Sequence, residues 1–295
     1  MARHLTKAEA ASKGWYCLKD LKEQFRLKPA TGQQPAGSVW QGQGSYQVYD
    51  KVLCVPMRSY HKPSEAQLKS LADARALIGT RLCMQCGQRT DIEQMDGALC
   101  IRCSDKQRVR ECAAVAASWI ESEAIYLDAE TTGLEHDDEI IEICLISQAG
   151  DVLMNSLVRP TKAIPDDAIS IHGITNEAVA GAPSWAALYC EFYRLIENKV
   201  VVIYNEDFDV RLLAQTASRY RLDAPKIQSV CAMKLYARWY GEERSMGKYQ
   251  WQRLSDAAQQ CGIDVSGAHR AYADCLMTRG VVGHMARTTF RKESE

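Results

Sequence analysis

The stretch IYLDAETTGLEHDDEIIEI, residues 125–143, begins as an apolar strand and places two acids, Asp128 and Glu130, two residues apart. Because side chains alternate along an extended chain, these carboxylates point to one face while Leu127 and Ala129 point to the other. Two like charges at this separation repel each other unless a positive charge lies between them. The stretch therefore predicts a core strand with one end built to hold a cation.

The composition is typical of a globular protein of one or two domains. The chain has 295 residues, and its hydrophobic share of 46% is enough for a core. The opening residues lack the continuous apolar segment of a signal peptide, and no later apolar run approaches the roughly 18 residues of a membrane span. We therefore expect a cytoplasmic protein that does not contact membranes and keeps most of its 12 cysteines reduced.

Charge is divided unevenly along the chain. Residues 1–123 carry 18 Lys and Arg against 13 Asp and Glu, a net of +5, whereas residues 124–295 carry 18 against 24, a net of −6. This division is expected if the front half binds a polyanion and the rear half binds divalent cations, although splits of this size also arise without functional meaning.

Residues 1–80 are predicted to form a small mixed domain. Its expected elements are a helix capped by Thr6 and Glu9, a second helix over 15–25, a loop over 28–44, a strand or hairpin over 45–55 and a helix over 65–79. Aromatic and basic residues alternate in this segment: Trp15, Tyr16, Phe25, Trp40, Tyr46, Tyr49 and Tyr60 lie beside Lys19, Lys22, Arg26, Lys28, Lys51, Arg58 and Lys62. Such rings can stack on unpaired bases or form a small core, and both interpretations stay open.

Residues 81–104 contain two Cys-x-x-Cys pairs, Cys83 with Cys86 and Cys100 with Cys103, separated by thirteen residues. Four thiolates on two tight turns are the tetrahedral ligand set that structural Zn²⁺ prefers. A closed four-cysteine site leaves no position for water. The spacing therefore predicts one structural Zn²⁺ ion.

A connecting helix is predicted over residues 105–123, with Ser104 or Asp105 as its cap. From residue 124 to about 290, strands alternate with helices: three strands follow in quick succession, and a fourth apolar strand lies at 200–205. This order predicts an α/β domain with a mixed sheet flanked by helices.

Further candidate ligands follow strand and helix boundaries. Asp209 is expected in the first turn of the helix after the strand at 200–205, at the sheet edge where ligands collect in open α/β folds. His269 and Asp274 are five residues apart and cannot share one face of a regular helix, so His269 is expected in the loop before the helix. Mg²⁺ or Mn²⁺ would neutralise the acids, two such ions would assist an in-line phosphodiester displacement, and the histidine would take the proton from water.

These segments resemble the three motifs of the DEDD superfamily of 3′–5′ exonucleases, His subtype, which includes proofreading exonuclease subunits and RNase T. The matching segments are LDAETTGL at 127–134, YNEDFD at 204–209 and HRAYADC at 269–275, and SIHGIT at 170–175 resembles a segment near the substrate terminus. The resemblance covers roughly residues 124–290. It implies a ribonuclease H-like fold and stepwise hydrolysis from a 3′ end that releases nucleoside 5′-monophosphates.

The resemblance also implies residue roles. Asp128, Glu130 and Asp274 would bind the ion that activates water, with Asp128 bridging to a second ion, and Asp209 would act partly through water. His269 would be the general base. The backbone at Thr131 and Thr132 would meet the terminal 3′-hydroxyl, Leu134 would wedge against the last base, and His172 is a candidate for substrate contact. The neighbouring acids Asp137, Asp138 and Asp207 are interpreted as solvated surface charges.

Two function classes follow. In the first, the chain is a metal-dependent exonuclease of single-stranded nucleic acid, with DNA slightly favoured over RNA because the added modules suit a substrate longer than a dinucleotide. In the second, it is an adaptor whose zinc and N-terminal modules bind a protein partner. The ordered set of acids favours the first class.

Overall fold

The computed structural model describes residues 4–42, 44–59, 61–245 and 247–288, so Tyr60 lies outside the described residues. The chain divides into two compact units, Met1–Ile78 and Gly79–Glu295. Within the described ranges, every helix is too short or too polar to cross a membrane.

The front unit contains short helices and strands around a small core. Its helices are α1 (Lys7–Ser12), α2 (Leu18–Phe25) and α3 (Glu65–Ala76), its strands are β1 (Trp15–Tyr16), β2 (Leu27–Pro29), β3 (Gly37–Gln41), β4 (Gly44–Asp50) and β5 (Cys54–Pro56), and a 3₁₀ turn spans Lys51–Leu53. The capping box of Thr6 and Glu9 is present, as the sequence predicts. Strands β1, β4 and β3 form one sheet, and β2 pairs with β5. The core consists of Ala10, Val39 and Val48, with no buried residue contributed by α3.

The second unit begins with the cysteine module. Two small antiparallel pairs, β6 (Thr80–Leu82) with β7 (Arg89–Asp91) and β8 (Met95–Asp96) with β9 (Leu99–Cys100), are joined by a 3₁₀ turn at Ile92–Gln94. Helix α4 (Ile101–Glu121) follows directly. It starts earlier than the predicted cap at Ser104 or Asp105, because Cys100 is the extended residue before the helix and Cys103 already lies in its first turn.

A five-stranded mixed sheet forms the centre of the second unit. Its strands are β10 (Ile125–Thr131), β11 (Ile140–Ile146), β12 (Val152–Leu157), β13 (Val200–Ile203) and β14 (Gln228–Cys231), in the order β12-β11-β10-β13-β14. Strand β11 is antiparallel to β10 and β12, whereas β13 is parallel to β10 and β14. The sheet confirms the predicted ribonuclease H-like fold, and β10 occupies its middle.

Helices cover both faces of this sheet. They are α5 (Asp166–His172), α6 (Asn176–Ala180), α7 (Trp185–Ile196), α8 (Glu206–Arg219), α9 (Ala232–Tyr240), α10 (Leu254–Gln260) and α11 (Ala271–Ala286), with a hairpin of β15 (Glu243–Ser245) and β16 (Lys248–Tyr249) after α9. Alternation along β10 sends Tyr126 to the core formed with α4, α9, α10 and α11, and sends Leu127 to the core formed with α7 and α8. Asp128 and Glu130 continue the Tyr126 face, which brings them toward α11.

Helix α4 is part of the core as well as a connection. Its Ala116 is fully buried in the cluster that contains Tyr126 and Val281. Near its other end, the Arg108 guanidinium donates to the carbonyl oxygens of Arg238 and Trp239, at the end of α9. Gly241 follows with a φ of 85° and lies against that guanidinium, so a side chain there would meet it. The connecting helix thus covers one side of the α/β domain.

Candidate active site

The central strand and the last helix bring three carboxylates together. Asp128 and Glu130 lie on β10, and Asp274 lies in the first turn of α11. One carboxylate oxygen from each of the three lies within 4.8 Å of the other two. The alternation that places both β10 acids on the α11 face is the reason this group forms.

Burial and mutual repulsion make these acids hard to ionise together. Burial is the largest cause of the raised pKa of Asp128, and the charges of Asp209, Asp274 and Glu130 add to it. Burial, then the charge of Asp274, raises the pKa of Glu130 to about 7. Burial also raises the pKa of Asp274 to about 6. Ionising all three carboxyl groups together is unfavourable, because their negative charges are buried and repel one another. A bound hard divalent cation would remove this repulsion, and carboxylate oxygens are the ligands that such a cation prefers.

Asp209 lies beside this group and outside its tightest cluster. It stands in the first turn of α8, as its position after β13 predicts, and it is buried. Burial is again the main cause of its raised pKa, and its own backbone amide and the backbone at Ala129 partly oppose the rise. Asp209 therefore belongs electrostatically to the carboxylate cluster while standing farther from its centre.

His269 lies in the loop before α11, as its spacing from Asp274 predicts. Its φ is 65°, a left-handed conformation that is uncommon outside glycine, and its backbone N–H donates to Asp274 Oδ1 at 3.2 Å. The residue is exposed and lines a depression of about 480 Å³ together with Asp274. The turn thus fixes the histidine backbone to one of the clustered carboxylates.

Glu142 is a site residue that the sequence reasoning missed. It pairs with Glu130 across β10 and β11, and its buried carboxylate accepts two hydrogen bonds from Arg270, at 2.6 and 3.1 Å. It also accepts the backbone N–H of Ala271 at 2.9 Å. One carboxylate therefore holds the start of α11, between His269 and Asp274. The signal was an acid inside an otherwise apolar strand, EIIEICLI.

The residues assigned to substrate contact line one cleft. Thr131, Thr132, Leu134 and His172 surround a space of about 530 Å³ that also reaches Glu130. The Leu134 side chain is 73% exposed and lines this space. Glu130 lines this cleft, and Asp274 lines the depression that contains His269. Because these two carboxylates lie within 4.8 Å of each other, the cleft and the depression meet at the carboxylate cluster.

His172 is buried against this cleft with one ring nitrogen unsatisfied. Its Nδ1 accepts the Ile174 backbone N–H at 3.0 Å, which stabilises the end of α5. Its Nε2 is buried and makes no hydrogen bond of good geometry to the residues that the structure describes. Burial lowers the pKa of His172, so the neutral ring is favoured. An unpartnered polar atom in the wall of a cleft suits contact with a polar group of a substrate.

The interpretation of Asp138 as a solvated surface acid is wrong. Its carboxylate is buried, forms an ion pair with Lys162 at 2.6 Å and accepts from the Thr132 hydroxyl at 2.7 Å and the Glu135 backbone at 2.7 Å. These partners lower its pKa against the opposing effect of burial. Asp138 therefore fixes the loop that carries Leu134. Asp137 and Asp207 are exposed, as expected.

The four cysteines of the module also come together. One sulfur from each of Cys83, Cys86, Cys100 and Cys103 lies within 4.8 Å of the others. Backbone donors at Cys100 and Cys86 lower the pKa of Cys83 to about 6, whereas burial and the neighbouring sulfurs raise the pKa of Cys103 to about 12. Four adjacent sulfurs that cannot all ionise alone have the donor chemistry of a tetrahedral metal site.

In the front unit, the aromatic side chains serve two purposes. Trp15 and Tyr46 pack against the small core, and Tyr16 contacts Phe25 edge to face. Lys51 stands 3.8 Å above the Phe25 ring. Trp40, by contrast, is 54% exposed. Core packing therefore accounts for several of the rings that were candidates for stacking on bases, whereas Trp40 has the exposure that such stacking requires.

Comparison with known proteins places these features in one family. Residues 125–282 match the RNase_T family model, described as "Exonuclease". An uncharacterized exonuclease, CP81, of Escherichia phage 186 is 46% identical over 179 residues, which are 58% of this chain and 92% of that protein. DNA polymerase III subunit epsilon of Treponema pallidum (strain Nichols) is 33% identical over 151 residues, 50% of this chain and 68% of that subunit. A solved structure of exonuclease X in complex with 5′ overhanging duplex DNA covers 58% of this chain and 95% of its own, with 26% identity and a TM-score of 0.44.

Proposed function

The chain belongs to the DEDD exonuclease family and is a nuclease that acts on nucleic acid, and we propose that it removes nucleotides from single-stranded 3′ ends as nucleoside 5′-monophosphates. The observation that carries this proposal is the cluster of the Asp128, Glu130 and Asp274 carboxylates. This cluster lies between the cleft lined by Glu130 and the depression lined by Asp274. The cleft beside Glu130 would hold the terminal nucleotide.

The proposed cofactors are two Mg²⁺ or Mn²⁺ ions held by Asp128, Glu130, Asp274 and Asp209. When bound, such ions supply positive charge to the attacking and leaving oxygens of an in-line displacement. The oxygen-only donor set and the raised pKa values of its carboxyl groups support this choice. For the cysteine cluster we propose one structural Zn²⁺, since four sulfurs leave no open position for water.

Side chains and backbone groups of the protein would transfer the proton and position the substrate. His269 accepts a proton from the attacking water, whose oxygen bonds to phosphorus as the bond to the upstream 3′-oxygen breaks. The backbone at Thr131 and Thr132 holds the terminal 3′-hydroxyl, and Leu134 limits how far the last base enters. His172 Nε2 meets a polar group of the terminal nucleotide. Glu142 and Arg270 keep the His269 turn in place, and the upstream strand leaves through the second depression.

We assign DNA as the slightly preferred substrate. Support comes from the relative that is named as a subunit of DNA polymerase III, which matches half of this chain. RNA 3′-end trimming is the alternative within the same chemistry, because one or two contacts to the 2′ position separate the two sugars. The proposed domain boundaries are a front domain over 1–80, the zinc module over 81–104, the linking helix over 105–123 and the exonuclease domain over 124–290.

The adaptor function is kept as a second candidate because of helix α3. Its twelve residues are all exposed, and Leu68 and Leu71 are 47% and 51% exposed, whereas a surface helix of a folded protein normally buries its leucines. In this reading the front unit and the cysteine module hold a protein partner. The two candidates differ in their dependence on Asp128, since only the enzyme loses its role without it.

The test uses matched single-stranded DNA and RNA oligonucleotides labelled at the 5′ end, with purified wild type, Asp128→Ala and Asp274→Ala. We expect a ladder of shortened products with Mg²⁺ or Mn²⁺, little turnover with Ca²⁺, and none with chelator. Because even outer partners of metal ligands contribute about 10- to 100-fold, loss of either carboxylate should cost about 100-fold or more. Near wild-type activity of a folded Asp128→Ala chain would refute the site, and cleavage of a strand with a blocked 3′ end would refute the polarity.

A further inference from the structure

The second depression contains an aromatic side chain that the proposed chemistry does not use. Trp251 is 59% exposed and lines the same space of about 480 Å³ as His269 and Asp274. Large aromatic residues are costly to leave in water, and their exposure beside a reacting centre is typical of binding surfaces. Trp251 lies outside the three motif segments that carry the family resemblance.

The backbone around Trp251 is held in place. The buried Tyr204 hydroxyl donates to the carbonyl of Gln252 at 3.0 Å. The Gln252 side-chain amide also donates to the Glu242 carboxylate at 3.0 Å, and on the other side of Trp251 the Gln250 backbone N–H donates to the carbonyl of Glu242 at 2.7 Å. Hydrogen bonds therefore hold the residues on both sides of Trp251. Because this backbone is already ordered, less conformational entropy is lost when a ligand stacks on the indole.

A cation lies next to it. Arg253 lines the same depression, is exposed, and has no ion-pair partner in the part of the chain that the structure describes. Proteins that bind single strands combine an aromatic surface for a base with a cation for the backbone phosphate. Trp251 and Arg253 supply both groups within three residues.

We propose that Trp251 and Arg253 form a second nucleotide subsite, in which the indole stacks on the base immediately upstream of the scissile bond and the guanidinium binds the next phosphate. This inference rests on the proposed function, because it requires the terminal nucleotide in the cleft of Leu134 and His172. With that cleft filled and the scissile phosphate at the carboxylate cluster, the strand continues into the depression of His269, where the indole lies.

The subsite would recognise an unpaired base without strong sequence preference, since every base has a ring face to stack on. It would also favour strands of three or more nucleotides, because a dinucleotide without a 5′-phosphate lacks the next phosphate that Arg253 binds. Both properties concern binding of the strand and leave the displacement itself to the carboxylates and His269.

The test is a double-mutant cycle in which the Trp251 side chain and the upstream base are removed separately and together. Full-length Asp128→Ala chain, which cannot cleave, is titrated with fluorescent single-stranded DNA that carries either a normal or an abasic second nucleotide. Since stacking on one base contributes about 1–3 kcal/mol, Trp251→Ala and the abasic position should each weaken binding by roughly tenfold. Together they should weaken it no more than either alone. Trp251→Phe should retain most of the affinity, because it keeps a ring.

Controls separate this proposal from the proposed function. Tyr240→Ala removes an exposed aromatic residue that does not line the depression, and an abasic sixth nucleotide removes a distant base. Neither should couple to Trp251→Ala. Fully additive losses at the second nucleotide, or an unchanged affinity of Trp251→Ala, would overturn the subsite even if the wild type degrades the strand. Absence of any degradation by the wild type would instead refute the exonuclease assignment.

Discussion

Glu142 stands directly opposite Glu130 in the antiparallel pair β10 and β11; the Glu130 carboxylate belongs to the cluster with Asp128 and Asp274, and the Glu142 carboxylate is bound by Arg270. Like charges placed opposite each other in a sheet normally destabilise it. Here the guanidinium neutralises Glu142, and its charge also opposes the rise in the pKa of Glu130. Of two acids on one face, Glu130 thus faces the other clustered carboxylates, whereas Glu142 is paired with Arg270.

The first prediction follows from this separation. Glu142→Gln removes the charge that holds Arg270 and weakens the bond to the Ala271 N–H, so the turn with His269 loses its support. We expect a loss of about 10- to 100-fold in kcat, with KM changed much less, as is usual for outer partners of metal ligands. Steady-state kinetics on a short single strand measures both constants.

Two controls make this prediction specific. Glu191→Gln neutralises an exposed acid on α7 and should leave kcat unchanged. Glu142→Asp, which restores the charge with a shorter side chain, should recover part of kcat. If Glu142→Gln raised KM alone or merely lowered the melting temperature, Glu142 would have a structural and not a positioning role.

The second prediction concerns the two histidines. His269→Ala should reduce turnover by roughly 10²- to 10⁴-fold while strand binding stays nearly intact, because a general base acts in the transition state. His172→Ala should instead weaken apparent affinity more than turnover, since its free Nε2 lines the cleft for the terminal nucleotide. His61→Ala, in the front unit, is the matched control for both. An unchanged rate of His269→Ala at neutral pH would assign the base elsewhere.

The third prediction is that magnesium stabilises the fold more as the pH rises. Burial raises the pKa of Glu130 to about 7 and that of Asp274 to about 6, above their values in the unfolded chain. Between the ordinary carboxyl range and pH 7, the folded state therefore binds more protons than the unfolded state, and its free energy of unfolding falls as the pH rises. A bound cation replaces those protons and removes the penalty.

Thermal unfolding in magnesium-free and magnesium-containing buffer tests this sign. The increase in melting temperature on adding Mg²⁺ should be small at about pH 5 and larger at about pH 8. In Glu130→Gln the difference between the two pH values should shrink, because one of the titrating groups is gone. A stabilisation that is equal at both pH values, or greater at the lower one, would contradict the linkage.

The fourth prediction concerns the cysteine cluster. Replacing Cys86 by Ser should release about one zinc ion per chain and unfold the module around residues 80–105, because a structural zinc site contributes folding free energy directly. Metal analysis of the purified chain measures the release. Cys190→Ser removes an exposed cysteine outside the cluster and should release none. A full zinc content in Cys86→Ser would exclude the four-sulfur site.

The sequence predicts elements well where one chemical pattern dominates. The apolar runs in β10, β11 and β13 predict buried strands, and the acids Asp128 and Glu130 mark the part of β10 that faces the site. The role of Glu142 could not be predicted from the local sequence, because it lies among buried apolar residues of β11. Its partner Arg270 follows 128 residues later. Side-chain pairs so distant in sequence leave no local signal.

Predictions from the local sequence are wrong at Ser104 and Asp138 for a related reason. Ser104 is a good helix cap by type, but the helix starts at Ile101, with Cys100 as the extended residue before it. Asp138 lies in a polar loop and was expected to be solvated, but Lys162 and the Thr132 hydroxyl bury it beneath the loop of Leu134. In both places a tertiary contact overrides a preference that is sound for an isolated segment.

Helix α4 lies outside the family-matched region at residues 125–282, although its Ala116 fills the same core as Tyr126 of the central strand. Its first turn carries Cys103, and its Arg108 holds the end of α9. The cysteine module and the nuclease thus share one continuous helix. A truncation that removed the module together with α4 would expose the apolar surface of α9 and α11 that α4 covers.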